Sequence, residues 1–223
     1  MKKKKIAAVA VSSVLLFVAG IVLSLCLGSR TVAFTKVLEA LSGKHVETLG
    51  AKVVLARVPR TIFGILAGGA LGISGTLMQS ITRNPVADPS ILGVNTGASL
   101  FVVIGIAYLH ISAASQYIWL AILGALLTTL LVYGVASLGK EGATPLKLAL
   151  SGSAVAITLG SLVSTIMLPN DKVMQNFRFW TVGSIGRATT ESIRLIVPFI
   201  AVGFLLAMLL APQLNALALG DEA

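Results

Sequence analysis

Six stretches of this 223-residue chain are long and apolar enough to cross a membrane as helices: Ile6–Gly28, Ile62–Ile81, Ile91–Ile111, Tyr117–Leu138, Leu146–Leu168 and Ile193–Ala211. A bilayer core about 30 Å thick takes about 20 helical residues at ~1.5 Å each. No acidic residue lies inside any of the six; all eight sit in the connections or at the C-terminus. The expected fold class is therefore all-α, a polytopic transmembrane helical bundle forming one domain over residues 1–223. Composition supports no soluble reading, because 56% of the residues are hydrophobic and only 11% charged, against roughly 25% charged in an ordinary soluble domain. The formal charge of +9 is spread between apolar runs, so it does not mark a nucleic-acid partner.

Local chemistry sets the ends of the runs. Asp88-Pro89 and Thr144-Pro145 each read as an N-cap residue followed by proline at the first helical position. Pro169 and Pro212 stand just past the fifth and sixth runs, where proline commonly follows a helix end. Met1 and the four lysines Lys2–Lys5 resemble the start of a signal peptide. The apolar run behind them is longer than a typical signal core, and bulky Leu25 sits where lipoprotein processing before Cys26 would want a small residue. The same lysines argue for a cytoplasmic N-terminus. That orientation puts 82–90 and 139–145 inside, and the longer 29–61 and 169–192 outside with six and three Lys/Arg respectively. Those outer segments are patterned. Phe34, Val37, Leu38 and Leu41 follow helical spacing, as do Val173, Phe177 and Trp180, which reads as short amphipathic helices at the surface.

The second run is rich in small residues. Gly64, Gly68, Gly72 and Gly75 repeat at or near the spacing that lets membrane helices approach closely; Gly93, Gly97, Gly152 and Gly160 share the theme. Groups for chemistry are scarce. His45 and His110 stand apart, without ligand spacing to a Cys, Asp or Glu. No run holds the carboxylate or histidine that ion-coupled transporters and pumps commonly use. No G-x-x-x-x-G-K-[ST] phosphate loop occurs. The chain is expected not to be an enzyme and to carry no cofactor or metal. If it moves a solute uphill, the energy comes from another chain.

From Arg57-Val58-Pro59-Arg60-Thr61, through Gly68-Gly69-Ala70-Leu71-Gly72-Ile73-Ser74-Gly75 and Met78-Gln79, to Arg83-Asn84-Pro85-Val86-Ala87-Asp88-Pro89, the sequence closely resembles the FecCD-type permeases. These are the membrane subunits of ABC importers for iron–siderophores, haem and vitamin B12. Leu150-Ser151-Gly152, Phe179-Trp180-Thr181-Val182-Gly183-Ser184 and the run Leu214 to Glu222 are similar to later family landmarks, in order. The resemblance implies a ten-helix subunit, of which this chain holds six runs and looks like the N-terminal part.

It also implies the partners: a second permease subunit, a cytoplasmic ABC ATPase, an extracytoplasmic substrate-binding protein, a metal-chelate substrate such as a ferric siderophore, and membrane lipid. Arg57 and Arg60 match the arginines that dock the binding protein. Asn84, Pro85 and Val86, with Ala143 and Thr144, match the cytoplasmic gate. Leu214, Asn215, Leu217, Leu219, Gly220, Asp221 and Glu222 match the start of the segment that grips the ATPase. Read from the residues alone, the arginines could equally snorkel to lipid headgroups, and the turns could be plain caps. An ion-coupled transporter or channel, or a permease fragment that assembles with nothing, stays open as an alternative.

Overall fold

The structure, a computed structural model, describes residues 2–43, 47–139 and 142–219. Among these are eight α-helices and two short 3-10 turns, with no strand. The chain divides into two compact units. One comprises residues 1–68 with 184–196, and the other 69–183 with 197–223.

The first unit holds α1 (Lys2–Cys26), α2 (Phe34–Leu41) and the first part of α3 (Leu49–Thr82). Its core is Leu25 and Val32 beside α1's end, Val37 and Ala40 of α2, and Ala51 and Val54 of α3. The amphipathic helix expected at 34–41 forms, but its buried stripe is narrower than the spacing implied. Val37 and Ala40 turn inward, while Phe34, Leu38 and Leu41 stay about half exposed.

The second unit holds the rest of α3, a 3-10 turn (Pro89–Leu92), α4 (Val94–Tyr108), α5 (Ala114–Ala136), α6 (Pro145–Met167), α7 (Asp171–Val182) and most of α8 (Thr190–Leu219). Its centre is α4, which packs against α5, α6 and α7. Leu100, Val102, Val103 and Ile106 of α4 meet Val163 of α6 and Val173 and Phe177 of α7. Helix α7 starts on Asn170, whose side-chain oxygen accepts from the backbone N–H of Lys172 and Val173. Its Val173/Phe177/Trp180 stripe faces this cluster, and Phe177 stacks on Trp180 at 5.7 Å between ring centroids. Trp119 of α5 meets Phe199 of α8 edge-on at 5.1 Å.

Among the described residues, five helices are long and apolar enough to cross a membrane, and α4 is a shorter apolar one. At three of the runs the helix bounds differ from the bounds of the apolar stretch. The run at 62–81 is the later part of a 34-residue helix that begins at Leu49. Lys52, Arg57, Pro59 and Arg60 interrupt the hydrophobicity there without stopping the helix. The run at 91–111 is helical only over 94–108, because Gly93 adopts a left-handed φ of 67° and separates α4 from the turn before it. Fifteen residues give only about 22 Å of rise. Helix α4 is also the helix most enclosed by its neighbours, with six of its residues buried. Finally, Pro212 does not end the last run: α8 continues through Pro198 and Pro212 to Leu219. Each proline removes one intrahelical donor, which membrane helices tolerate where side chains and neighbouring turns re-satisfy the carbonyl.

Candidate functional site

Arg57 and Arg60 are the two arginines matched to docking. The structure places them well inside α3 and in opposite settings. Arg60 is exposed. Arg57 is 9% exposed, and its guanidinium is occupied: one terminal nitrogen donates to the Leu25 carbonyl at 2.9 Å and the other to the Arg30 carbonyl. Leu25 lies in the last turn of α1, where carbonyls have no intrahelical partner. Neighbouring carbonyls there are met by backbone: Leu27 N–H donates to Leu23, and Val32 N–H to Cys26. A second link runs beside the first. The Thr61 hydroxyl donates to the Arg57 carbonyl at 3.1 Å and accepts from the Ser24 hydroxyl at 2.8 Å. The interleaving of Ser24 and Thr61 escaped the sequence reading, since nothing local marks a pair 37 positions apart.

The two turns matched to a gate lie in the second unit. After Arg83, which takes a left-handed φ of 49°, the Asn84 side-chain oxygen accepts from the Val86 N–H at 3.0 Å, closing a turn over Pro85. Val86 is 85% exposed at its tip, and Ala87 beside it is buried. Asp88 then caps the 3-10 turn, accepting from Ser90 N–H at 2.6 Å. Hydrogen bonds from Ser90, side chain first and backbone second, hold the Asp88 carboxyl below its ordinary range. A lowered carboxylate stabilises above the ordinary value and loses that contribution as pH falls through the lowered one, so this cap is complete at neutral pH. The second turn ends on Thr144, whose hydroxyl accepts from Lys147 N–H at 3.3 Å and opens α6. Leu92, at the end of the 3-10 turn that follows 84–88, and Ala143, beside Thr144, both pack on the cluster of Val132, Ala136 and Leu148. The caps at Asp88 and Thr144 are thus both satisfied, and the 3-10 turn shares a hydrophobic anchor with Ala143.

Leu214, Asn215, Leu217 and Leu219 fall in the last turns of α8, with Leu214 half-buried and Asn215 exposed. Gly220, Asp221 and Glu222 lie outside the described residues, as do Lys44, His45 and Lys140.

Within the described residues the close backbone approaches fall at glycines outside α3. A Cβ at Gly64, Gly68, Gly72 or Gly75 would meet no atom of the described chain within 4 Å. The close approaches are elsewhere. Gly97 of α4 and Gly124 of α5 face each other, so a Cβ on either would strike the other's carbonyl oxygen, and a Cβ on Gly152 of α6 would strike the Ile91 carbonyl. The Gly97–Gly124 crossing is flanked by Thr128, buried at 4% exposure. Gly97 and Gly152 carried a visible small-residue signal; Gly124 stood alone in a leucine-rich run.

These elements define a multi-pass membrane protein built as a helical bundle. Residues 15–223 match the model of the FecCD transport family, and the chain belongs to that family. It is 40% identical over 208 residues to the ferric enterobactin transport system permease protein FepD of Escherichia coli (strain K12), covering 93% of this chain and 62% of that protein. It is 36% identical to the Fe(3+)-citrate import system permease protein YfmD of Bacillus subtilis (strain 168), covering 94% and 62%. The cobalamin import system permease protein BtuC of Halobacterium salinarum is 32% identical, with 79% and 47% covered. The chain thus spans about half to three-fifths of the length of these relatives. Among solved structures, an inward-facing metal-chelate type ABC transporter superposes with a TM-score of 0.71 at 23% identity, covering 94% of this chain and 62% of its own, a likeness of fold.

Proposed function

We propose that this chain forms the membrane-spanning part of a permease subunit in a binding-protein-dependent ABC importer, and that the cargo is a ferric siderophore or a similar metal chelate. The observation that carries this is the family match over residues 15–223, joined to relatives whose names include ferric enterobactin and ferric citrate transport. In this reading the N-terminus is cytoplasmic, as the lysines of α1 favour. The turns at 84–86 and 143–144 then lie at the cytoplasmic end and gate the pathway. The anchor that the following 3-10 turn, through Leu92, shares with Ala143 on Val132, Ala136 and Leu148 supports their moving together. ATP hydrolysis belongs to a separate chain, and alternating access follows from its closure. A binding protein docks on the opposite side, where Arg60 offers an exposed guanidinium whose planar fork suits a carboxylate. The unfilled faces of Gly64, Gly68, Gly72 and Gly75 on α3 are available for close packing by further helices or a second subunit.

The coupling segment provides the test. Leu214 and Leu217 on α8 are changed to Asp in the full-length subunit. The expected result is normal membrane insertion with loss of ATPase co-purification. Undiminished co-purification would remove the coupling role from this segment.

A further inference from the structure

The geometry points to α2 as a helix seated in lipid: Phe34, Leu38 and Leu41 form a face that enters the membrane at the headgroup–acyl boundary, beside the end of α1. The two short amphipathic helices differ in what covers their apolar residues. In α7 the stripe Val173, Phe177 and Trp180 is taken up by the core around α4. In α2 only Val37 and Ala40 are taken up, by Leu25, Val32, Ala51 and Val54. Phe34, Leu38 and Leu41 stay about half exposed, and their i, i+4, i+7 spacing lines them up along one side of the helix. Thr35, Lys36 and Glu39 are exposed too, and at about 100° per residue they fall on the other side. A helix so divided lies in the plane of the membrane interface, its apolar face toward the acyl chains.

The level of α2 in the molecule selects lipid as the occupant. The span of α1 from Lys4 to Cys26 has 23 residues, about 35 Å at ~1.5 Å each, slightly more than an acyl core of about 30 Å. Its last turn, where Leu25 joins the core shared with α2, therefore stands at the boundary and not out in bulk water. The surface of α1 is open at this level, with Leu23 and Leu27 about half exposed, so lipid around the span reaches the helix packed on its end. Arg30, in the connection between them, is exposed and long enough to hold its charge among headgroup phosphates. The inference rests on the protein being a membrane bundle and is independent of what it carries.

The experiment reads depth. Leu38→Cys, Leu41→Cys and Glu39→Cys are made singly in the full-length subunit cleared of cysteine, Cys26→Ser included, and each carries a nitroxide label. The subunit and its permease partner are placed in vesicles of phosphatidylethanolamine and phosphatidylglycerol. Collisions of the label with oxygen, which concentrates among acyl chains, are compared with collisions with a water-soluble nickel chelate. Leu38→Cys and Leu41→Cys should meet oxygen in preference to nickel, at a depth about 5–10 Å into the boundary. Leu16→Cys, at an exposed position in the middle of α1, serves as the deep reference, and Glu39→Cys should favour nickel. Nickel access at positions 38 and 41 equal to that at 39 would put the face in water and overturn the proposal. Shielding of both labels from oxygen and nickel alike would mean that protein covers the face, and would overturn it too. Adding the binding protein should leave the readings unchanged; a loss of oxygen access on its addition would assign the face to that partner instead of lipid.

Discussion

Changing Gly152 to alanine is expected to destabilise the second unit by about 3 kcal/mol or more, enough to shift a folding equilibrium roughly a hundredfold. The added Cβ would sit on the Ile91 carbonyl oxygen and only 2.9 Å from its carbon, with the Leu92 Cα at 3.4 Å. All three are backbone atoms of a short turn already pinned by Asp88 at one end and by Leu92 in the hydrophobic cluster at the other. No rotamer change relieves such a contact; the turn or α6 has to move. Gly124→Ala should act alike, because the backbones of α4 and α5 meet at Gly97 and Gly124. Gly134→Ala and Gly203→Ala supply the control. Their added methyl meets nothing in the described chain, and alanine is the better helix former by about 1 kcal/mol. The check is the midpoint of heat-induced aggregation in detergent. A large drop for Gly152→Ala beside unchanged or raised values for the Gly134 and Gly203 variants is expected. Equal behaviour of all four would mean that the α4–α5–α6 packing is not as described.

The second large effect is electrostatic and rests on the proposed docking role. Arg60→Glu places a carboxylate where a cation is exposed on α3, so an acidic partner meets repulsion in place of attraction. Association with the binding protein should slow at least about tenfold at low salt, with a shallower or reversed salt dependence, since rim charges act mainly on encounter rate. Arg60→Lys should fall between, retaining charge without the fork. Measured on the subunit in a reconstituted transporter, an unchanged rate and slope for Arg60→Glu would return this arginine to the lipid headgroups.

Hydropathy alone carried the helices whose runs are uninterrupted, namely α1, α5 and α6, because length and apolarity are properties of the local chain. The helix bounds differ from the runs at 49–61 and 212–219, where charge or proline interrupts the pattern without stopping the helix. At 49–61 the support is tertiary, since Ala51 and Val54 pack in one core with the end of α1 and with α2, and a window of sequence does not contain it. The opposite holds at Gly93, where one left-handed residue ends a helix inside an uninterrupted apolar stretch. The site was legible in kind and less so in arrangement. Asp88 and Thr144 act as the caps their proline neighbours announce. Arg57 and Arg60 stand at a spacing that puts side chains on one face, yet what buries Arg57 is the end of a helix some thirty residues upstream. The glycines of α3 were conspicuous and meet nothing in this chain, while the lone Gly124 makes the closest helix crossing.

The central claim, transport powered by a separate ATPase and fed by a binding protein, is tested most directly by uptake of a radio-iron-labelled ferric siderophore into proteoliposomes. The subunit is reconstituted from its whole reading frame, with its permease partner, the ATPase and the binding protein. Accumulation that requires both ATP inside and loaded binding protein outside, and that stops when the ATPase is inactivated, is the predicted result. Accumulation that ignores ATP and follows an imposed proton or sodium gradient would contradict the account and make the protein an ion-coupled transporter.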